Sequence, residues 1–207
     1  MRFHDQGLGL GGNTVLAARV ISRLTPAPLI NFYVGTLLSL VPPGTGLGPI
    51  LSPVESVAIC LVFMVVLPAA PIVIQAWRGI IDLDVSDRTK RAPFFLSALL
   101  CYSCAYALYL IYQSLVMRTL AAAYIAVTFV VMVVSLREKV SVHAAGIGGP
   151  GTVLIYMYGP VLLCFLLPLW CAVVWSRTAL QQHTLTEGVA GLTIGVVVSL
   201  AVCMLFY

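Results

Sequence analysis

The chain has 207 residues, of which 61% are hydrophobic and only 9% are charged, and its mean hydropathy is +1.06. A protein of this size needs many more charged residues to cover a water-exposed surface, so the composition excludes a water-soluble globule and predicts an integral membrane protein. The net charge of +4 comes from 11 Lys or Arg and 7 Asp or Glu residues scattered along the chain. Because they form no basic stripe, we expect no nucleic-acid partner.

The N-terminal segment, residues 1–26, differs from the rest of the chain. It lacks the basic region, apolar run and small-residue cleavage site of a secretory signal, so we expect it to be retained. Over residues 15–24 it becomes weakly amphipathic and contains Arg19 and Arg23. This pattern is typical of a segment that lies on the membrane surface.

Residues 27–207 are predicted to form a single transmembrane domain. A spanning helix takes about 20 residues, and Pro, Gly or charged residues divide this region into seven apolar windows. The pair Gly159-Pro160 separates two of them, because it supplies a helix break and a new helix start. We therefore expect an all-α, polytopic transmembrane helix bundle of six to seven spans, in which the first window is alternatively a re-entrant or interfacial helix. The windows cover residues 27–43, 54–77, 92–115, 119–136, 142–158, 160–176 and 186–207.

Seven spans would place the N-terminus and the loops around 78–91, 137–143 and 177–186 on one face of the membrane. Ten of the eleven basic residues then share that face, and only Arg118 lies on the other. By the positive-inside rule we expect this face to be cytoplasmic. It also gathers most other ionisable groups, which favours a site for an anionic, lipid-borne substrate. The basic residues are Arg2, Arg19, Arg23, Arg78, Arg88, Lys90, Arg91, Arg137, Lys139 and Arg177; the others are Asp82, Asp84, Asp87, Glu138, His143, His183 and Glu187.

The most informative motif lies between the last two windows, where Ser176 and Arg177 are followed by His183 and Glu187. Four residues separate the imidazole from the carboxylate, so on one helix they would share a face and the carboxylate could orient the ring. Arg177 offers a planar fork of donors suited to phosphate oxygens. This string resembles the third signature of the type 2 phosphatidic acid phosphatase superfamily, which reads Ser-Arg, five residues, His, three residues, Asp. The one departure is Glu187 in place of Asp.

A second motif lies upstream, in the run from Lys139 through Ser141 and His143 to Gly146. It is similar to the second signature of that superfamily, Pro-Ser-Gly-His, with Val140 and Val142 in place of Pro and Gly. It looks like a variant found in small prokaryotic members. The resemblance implies that His143 is the general acid that protonates the leaving oxygen, a task suited to an imidazole.

The first signature of the superfamily, Lys, six residues, Arg-Pro, is matched least well. Arg91 can take the arginine position, but one residue separates it from Pro93, and Asp84 stands at the Lys position. Lys139, Lys90 or Arg88 would then supply the missing cation, and we favour Lys139 because it lies close to His143 in sequence. With this motif the phosphatase-like core covers about residues 84–203.

The resemblance implies an integral-membrane lipid phosphatase, in the plasma membrane of a prokaryote, acting on phospholipid or isoprenoid mono- or diphosphates without a metal or other cofactor. His183, oriented by Glu187, would attack phosphorus to give a phosphohistidine. His143 would protonate the departing lipid oxygen, and water would hydrolyse the intermediate. The phosphate-binding residues would be Arg177, Arg91, Lys139, Ser141, Ser176 and Arg88.

Three alternatives stay open from the sequence, as does the oligomeric state. The first is a lipid phospho- or headgroup transferase on the same scaffold. The second is a magnesium-dependent prenyl-transfer or cyclisation enzyme that uses the carboxylates of Asp82, Asp84 and Asp87; we favour instead a role in which they pair with the adjacent basic residues. The third is a non-catalytic membrane protein that binds a lipid phosphate.

Overall fold

The computed structural model describes residues 3, 5, 8–44 and 50–207, so Arg2 of the predicted basic face lies outside the described residues. All regular structure in this part of the chain is helical. A π-helical segment, Cys60–Val66, makes α3 and α4 one continuous rod, and two short 3₁₀ turns, Arg88–Lys90 and Pro160–Leu162, precede α5 and α8. The helices are α1 (Asn13–Leu24), α2 (Ala27–Leu40), α3 (Pro53–Ile59), α4 (Leu67–Trp77), α5 (Ala92–Ile111), α6 (Leu115–Ser135), α7 (Val142–Tyr158), α8 (Leu163–Ala179) and α9 (Leu185–Phe206).

Five helices are long and apolar enough to cross a membrane: Pro53–Trp77, Ala92–Ile111, Leu115–Ser135, Pro160–Ala179 and Leu185–Phe206. The protein is therefore an all-helical bundle with the character of an integral membrane protein. The other two predicted windows form shorter helices, α2 with 14 residues and α7 with 17. Most of α7 is buried by neighbouring helices, and a helix that contacts protein rather than lipid does not have to be strongly apolar.

The helix α1 corresponds to the amphipathic part of the N-terminal segment. It packs against α8, and its Ser22 is buried there. Arg23 lies over the ring of Phe3, with 4.8 Å between the guanidinium carbon and the ring centroid. The contact with α8 ties α1 to the end of the bundle where α8 finishes.

The π-helical segment is a departure from regular helix that the sequence analysis did not anticipate. Pro68 lacks the N–H that would bond to the carbonyl oxygen of Met64 one turn earlier. Asn31 of α2 supplies a replacement donor, with 2.7 Å between its Nδ2 and the Met64 oxygen. This hydrogen bond joins α2 to the rod formed by α3, the π-helical segment and α4.

The helices α7 and α9 form the closest pair in the bundle. A Cβ on Gly191 of α9 would lie 2.4 Å from the carbonyl oxygen of Ser141, and one on Gly195 would lie 2.5 Å from the carbonyl oxygen of Ala145. Only glycine permits such contact between backbones, as in other small-residue helix pairs in membranes. The starts of α7 and α9 are therefore held at a fixed separation.

The connections between helices collect at two ends of the bundle. At one end, Tyr158 donates to the carbonyl oxygen of Val41, and the Ile50 N–H donates to the Tyr112 carbonyl oxygen over 3.2 Å. At the other end lie the loops after α4, α6 and α8. We call this second end the polar end.

Candidate functional site

Long-range contacts bring together at the polar end the three loops singled out in the sequence. Arg91, after the first loop, donates from Nη1 to the carbonyl oxygen of Val140 over 3.2 Å. Lys139 of the second loop donates from Nζ to the carbonyl oxygen of Gln182 over 2.8 Å. The predicted juxtaposition of these loops is thus present in the structure.

His183 and Glu187 are in direct contact, with 2.8 Å between Nδ1 and Oε2. His183 lies in the loop before α9, however, and Thr184 is the N-cap of that helix. Glu187 therefore reaches the ring from the first turn of α9, where it also closes a capping box with Thr184. The interpretation that both residues share a face of one helix was wrong. The helix begins at Leu185, directly after its Thr184 cap, so His183 lies outside it and only Glu187 is helical.

Burial lowers the pKa of His183 to about 4. The positive charges of Arg177, Lys139 and Arg91 act in the same direction, whereas the hydrogen bond to the Glu187 carboxylate favours the protonated ring. The neutral imidazole therefore predominates near pH 7. When Nδ1 donates its hydrogen to the carboxylate, Nε2 carries the lone pair of a nucleophile.

Arg177, in the last turn of α8, is only 3% exposed. Its Nη1 donates to Ser22 Oγ over 2.7 Å, and its Nη2 lies 3.0 Å from Asp84 Oδ1 in a buried ion pair. Its Nε–H is buried without an acceptor among the described residues. The fork is thus held in place by α1 and by the loop after α4, with one donor still to be satisfied.

Two further cations lie beside this guanidinium. Arg91 is 4% exposed, and burial together with the neighbouring charge of Arg177 lowers its pKa. The Nζ of Lys139 is 4.0 Å from Glu187 Oε2. Three cations, Arg177, Arg91 and Lys139, therefore lie near three carboxylates, Asp82, Asp84 and Glu187.

His143 is the second residue of α7 and is partly buried. It interacts electrostatically with Arg177, His183 and Arg91, so both predicted catalytic imidazoles belong to one charge cluster. His143 also lines a cavity, together with Arg91 and Asp84.

This cavity, of about 400 Å³, extends from the polar end into the bundle and is mainly apolar. Its size falls in the range of about 300–1,000 Å³ that is usual for small-molecule sites. The helices α2, α4, α5, α6, α7 and α9 all contribute to its wall, with Ala27, Ile72, Phe95, Val127, Gly146 and Ser199 as representatives. His183, Glu187, Arg177 and Lys139 do not line it. Its polar end at His143, Arg91 and Asp84 and its apolar remainder suit a molecule with an anionic head and a hydrocarbon chain.

Three predicted phosphate-binding residues make other contacts. Ser141 is fully buried, and its hydroxyl caps α7 by accepting from the Ala144 N–H over 3.3 Å. The Ser176 hydroxyl donates to the carbonyl oxygen of Val173 in its own helix, over 2.8 Å. Arg88 is exposed and donates to the carbonyl oxygen of Arg137. These hydrogen bonds hold the start of α7, the end of α8 and the loop after α6.

The three aspartates of the first loop have separate roles. Asp82 accepts from the Asp84 N–H over 2.9 Å and from the Ser86 hydroxyl over 3.1 Å, so it closes the loop. Asp87 caps the 3₁₀ turn through Thr89. Asp84 forms an ion pair with Arg177, which is not one of the sequence neighbours that we favoured as its partners. Among the described residues no group of three His, Cys, Asp or Glu side chains is placed to hold a metal ion.

Asp84, Ser22 and Gln182 are site residues that the sequence analysis did not identify as partners of the motif. Gln182 lies beside Arg177, with 3.4 Å between Oε1 and Nη2. The contacts of Arg177 with Ser22 and Asp84 join residues far apart in the chain, and nothing local in the sequence indicates them. The only signal was an acidic residue, Asp84, at a position where the resembling motif has lysine.

No family model, curated protein or solved structure matches the chain. The function is therefore inferred from the side chains at the polar end and from the cavity that His143, Arg91 and Asp84 line there.

Proposed function

We propose that the protein is an integral-membrane lipid phosphatase that hydrolyses phospholipid or isoprenoid phosphates through a phosphohistidine intermediate. The observation that carries the proposal is the 2.8 Å contact between His183 and Glu187 near cations of which Arg91, like His143, also lines the apolar cavity. A neutral, oriented imidazole is a nucleophile, and the cations would neutralise the charge of its phosphate electrophile. The chain of the lipid would occupy the cavity. The resemblance to the type 2 phosphatidic acid phosphatases supports the same assignment.

The reaction would proceed in two steps. The Nε2 lone pair of His183 attacks phosphorus and forms a P–N bond while the P–O bond to the lipid breaks. His143, in the protonated form that the negative charge of the bound phosphate would favour, gives its proton to the departing oxygen. Water then attacks the phosphohistidine, His143 takes a proton from it, and the P–N bond breaks to release phosphate and His183. Because positioning and electrostatics dominate phosphoryl transfer, Arg177, Arg91 and Lys139 supply the stabilisation of the phosphoryl oxygens.

We propose further that seven helices cross the membrane, with the polar end on the cytoplasmic side. The short helices α2 and α7 support this count, because they run between the same two ends as the five long ones: Ala27 lies beside Gly146, and Tyr158 reaches Val41. The concentration of basic residues at the polar end supports the orientation. Cysteine labelling of loop positions in intact cells tests it.

The function is tested by phosphate release from short-chain phosphatidate and prenyl diphosphates in detergent, with and without EDTA. We expect release that EDTA does not abolish, complete loss in His183→Ala, and strong loss in Arg177→Lys. Arg118→Lys, at the opposite end, is the matched control and should retain activity. Activity that requires a divalent metal, or that survives in His183→Ala, would overturn the proposal. A lipid alcohol added as acceptor, with product analysis, separates a transferase from a hydrolase.

A further inference from the structure

A second polar feature lies inside the apolar cavity, away from the histidines. The Oγ of Ser199 lies 3.0 Å from the position that a Cβ on Gly149 would occupy. Gly149 follows His143 by six positions in α7, which at roughly 1.5 Å per residue puts it about 9 Å deeper in the bundle. Tyr124 lines the same cavity, and its ring packs against that of Tyr102 with 5.4 Å between centroids.

The hydroxyls of Tyr124 and Ser199 are buried without a hydrogen-bond partner in the part of the chain that the structure describes. Tyr124 is 6% exposed and Ser199 is fully buried. A buried hydroxyl without a partner is destabilising and uncommon in native proteins. Some helical hydroxyls here bond to their own backbone, as Thr119 does to the Leu115 carbonyl oxygen and Thr152 to that of Gly148, whereas those of Thr36 and Ser135 have no partner among the described residues. What distinguishes Tyr124 and Ser199 is that both line one cavity, where a bound ligand would supply the acceptor that their hydroxyls lack among the described residues.

We infer that Tyr124 and Ser199 form a second binding contact, in which their hydroxyls donate to an acceptor oxygen carried in the chain of the bound lipid. The inference rests on the proposed function, since it places the phosphate at the histidines and the chain in the cavity. Ester carbonyls, or ether oxygens, follow the phosphate within a few bonds in glycerolipids. Alkyl and isoprenoid phosphates carry no such oxygen. The two hydroxyls thus select for the glycerolipid class.

The test compares a lysophosphatidate with an alkyl phosphate of the same chain length, as substrates of the wild type, Tyr124→Phe, Ser199→Ala and the double variant. Each substitution removes only a hydroxyl that has no hydrogen-bond partner among the residues that the structure describes, so we expect folding to be retained. We expect the ratio of kcat/KM values to favour the ester lipid and to fall by about threefold to tenfold in each variant, the range that one hydrogen bond provides. An ether-linked analogue distinguishes a carbonyl from an ether oxygen.

Ser135→Ala is the matched control, because Ser135 Oγ is also buried without a partner in the described residues but the residue does not line the cavity. It should leave the ratio unchanged. A ratio in Tyr124→Phe and Ser199→Ala equal to that of this control would overturn the inference, because a merely structural role affects both lipids alike.

A binding measurement separates this inference from the proposed function. The rise in Tm that each lipid causes is measured in His183→Ala, which the proposal expects to be inert, with and without the two cavity substitutions. We expect a larger rise with the ester lipid, lost in the double variant. If the wild type hydrolyses neither lipid, the phosphatase proposal fails. The Tm comparison then still tests the second contact, because equal rises in Tm with both lipids would overturn it.

Discussion

Substitution of Glu187 by Gln tests the orientation of His183 without disturbing the fold. Gln keeps the length of the side chain and an oxygen that can accept from the Thr184 N–H, so the capping box at the start of α9 is preserved. What changes is the charge on the acceptor that lies 2.8 Å from His183 Nδ1. Because that hydrogen bond favours the protonated ring, its weakening should make the imidazole less basic and less nucleophilic.

The size of the effect follows from the strength of the bond. A hydrogen bond to a charged group contributes about 1.5–3 kcal/mol, and each 1.36 kcal/mol in the barrier changes the rate about tenfold. We therefore expect kcat of Glu187→Gln to fall by about 10- to 150-fold, with KM changed by less than about threefold, because the carboxylate acts through the ring rather than on the phosphate.

The assay is steady-state phosphate release from short-chain phosphatidate in detergent, with Tm measured in parallel. Glu138→Gln is the control, because Glu138 is an exposed carboxylate at the same end of the bundle and its loss should leave kcat unchanged. A Glu187→Gln enzyme with wild-type kcat would refute the positioning role. A rise in KM with unchanged kcat would refute it as well and would assign Glu187 to substrate binding.

Three further predictions concern acid stability, backbone packing and the buried ion pair. Because burial holds the pKa of His183 at about 4, below an unfolded value of about 6.5, the unfolded chain binds a proton first as the pH falls. Stability should decrease between these two values by up to about 3 kcal/mol, and Tm measured by tryptophan fluorescence should fall more steeply in the wild type than in His183→Gln. Gly191→Ala should lower Tm by several degrees, since its Cβ would lie 2.4 Å from a backbone oxygen; Gly11→Ala, whose Cβ would meet nothing within 4 Å, should not, and equal Tm values would contradict the close approach. Asp84→Asn and Arg177→Gln should show a coupling energy of about 0.5–3 kcal/mol in a double-mutant cycle on stability; additive effects would mean that the 3.0 Å contact contributes nothing.

The sequence predicted the positions of the helices and the grouping of the loops well. Apolar windows bounded by Pro, Gly or charge coincide with α2 and with the helices from α5 to α9 to within a few residues, because the cost of burying polar backbone and side chains in lipid acts locally. Successive spanning helices run in opposite directions, so every second loop lies at the same end of the bundle. The grouping of the polar loops can therefore be predicted without knowing how the helices pack.

Contacts that depend on packing could not be predicted in the same way. The pairing of Arg177 with Asp84 joins residues 93 positions apart, and the sequence offered nearer partners for both. The hydrogen bond from Asn31 to the Met64 carbonyl oxygen depends on how α2 packs against the rod formed by α3, the π-helical segment and α4. Ser176 matches its motif position, yet its hydroxyl bonds to its own helix, because a motif specifies the residue type but not the rotamer.

The contact between the backbones of α7 and α9 has a mechanical consequence. His143 lies at the start of α7, and the loop that carries His183 leads directly into α9. The close contact at Gly191 and Gly195 makes α7 and α9 one rigid unit. When a thicker or thinner bilayer tilts membrane helices, α7 and α9 should tilt together, and the distance between the two imidazoles should not change. The helices that change their tilt with bilayer thickness would instead be α2 and the rod formed by α3, the π-helical segment and α4, on the other side of the cavity.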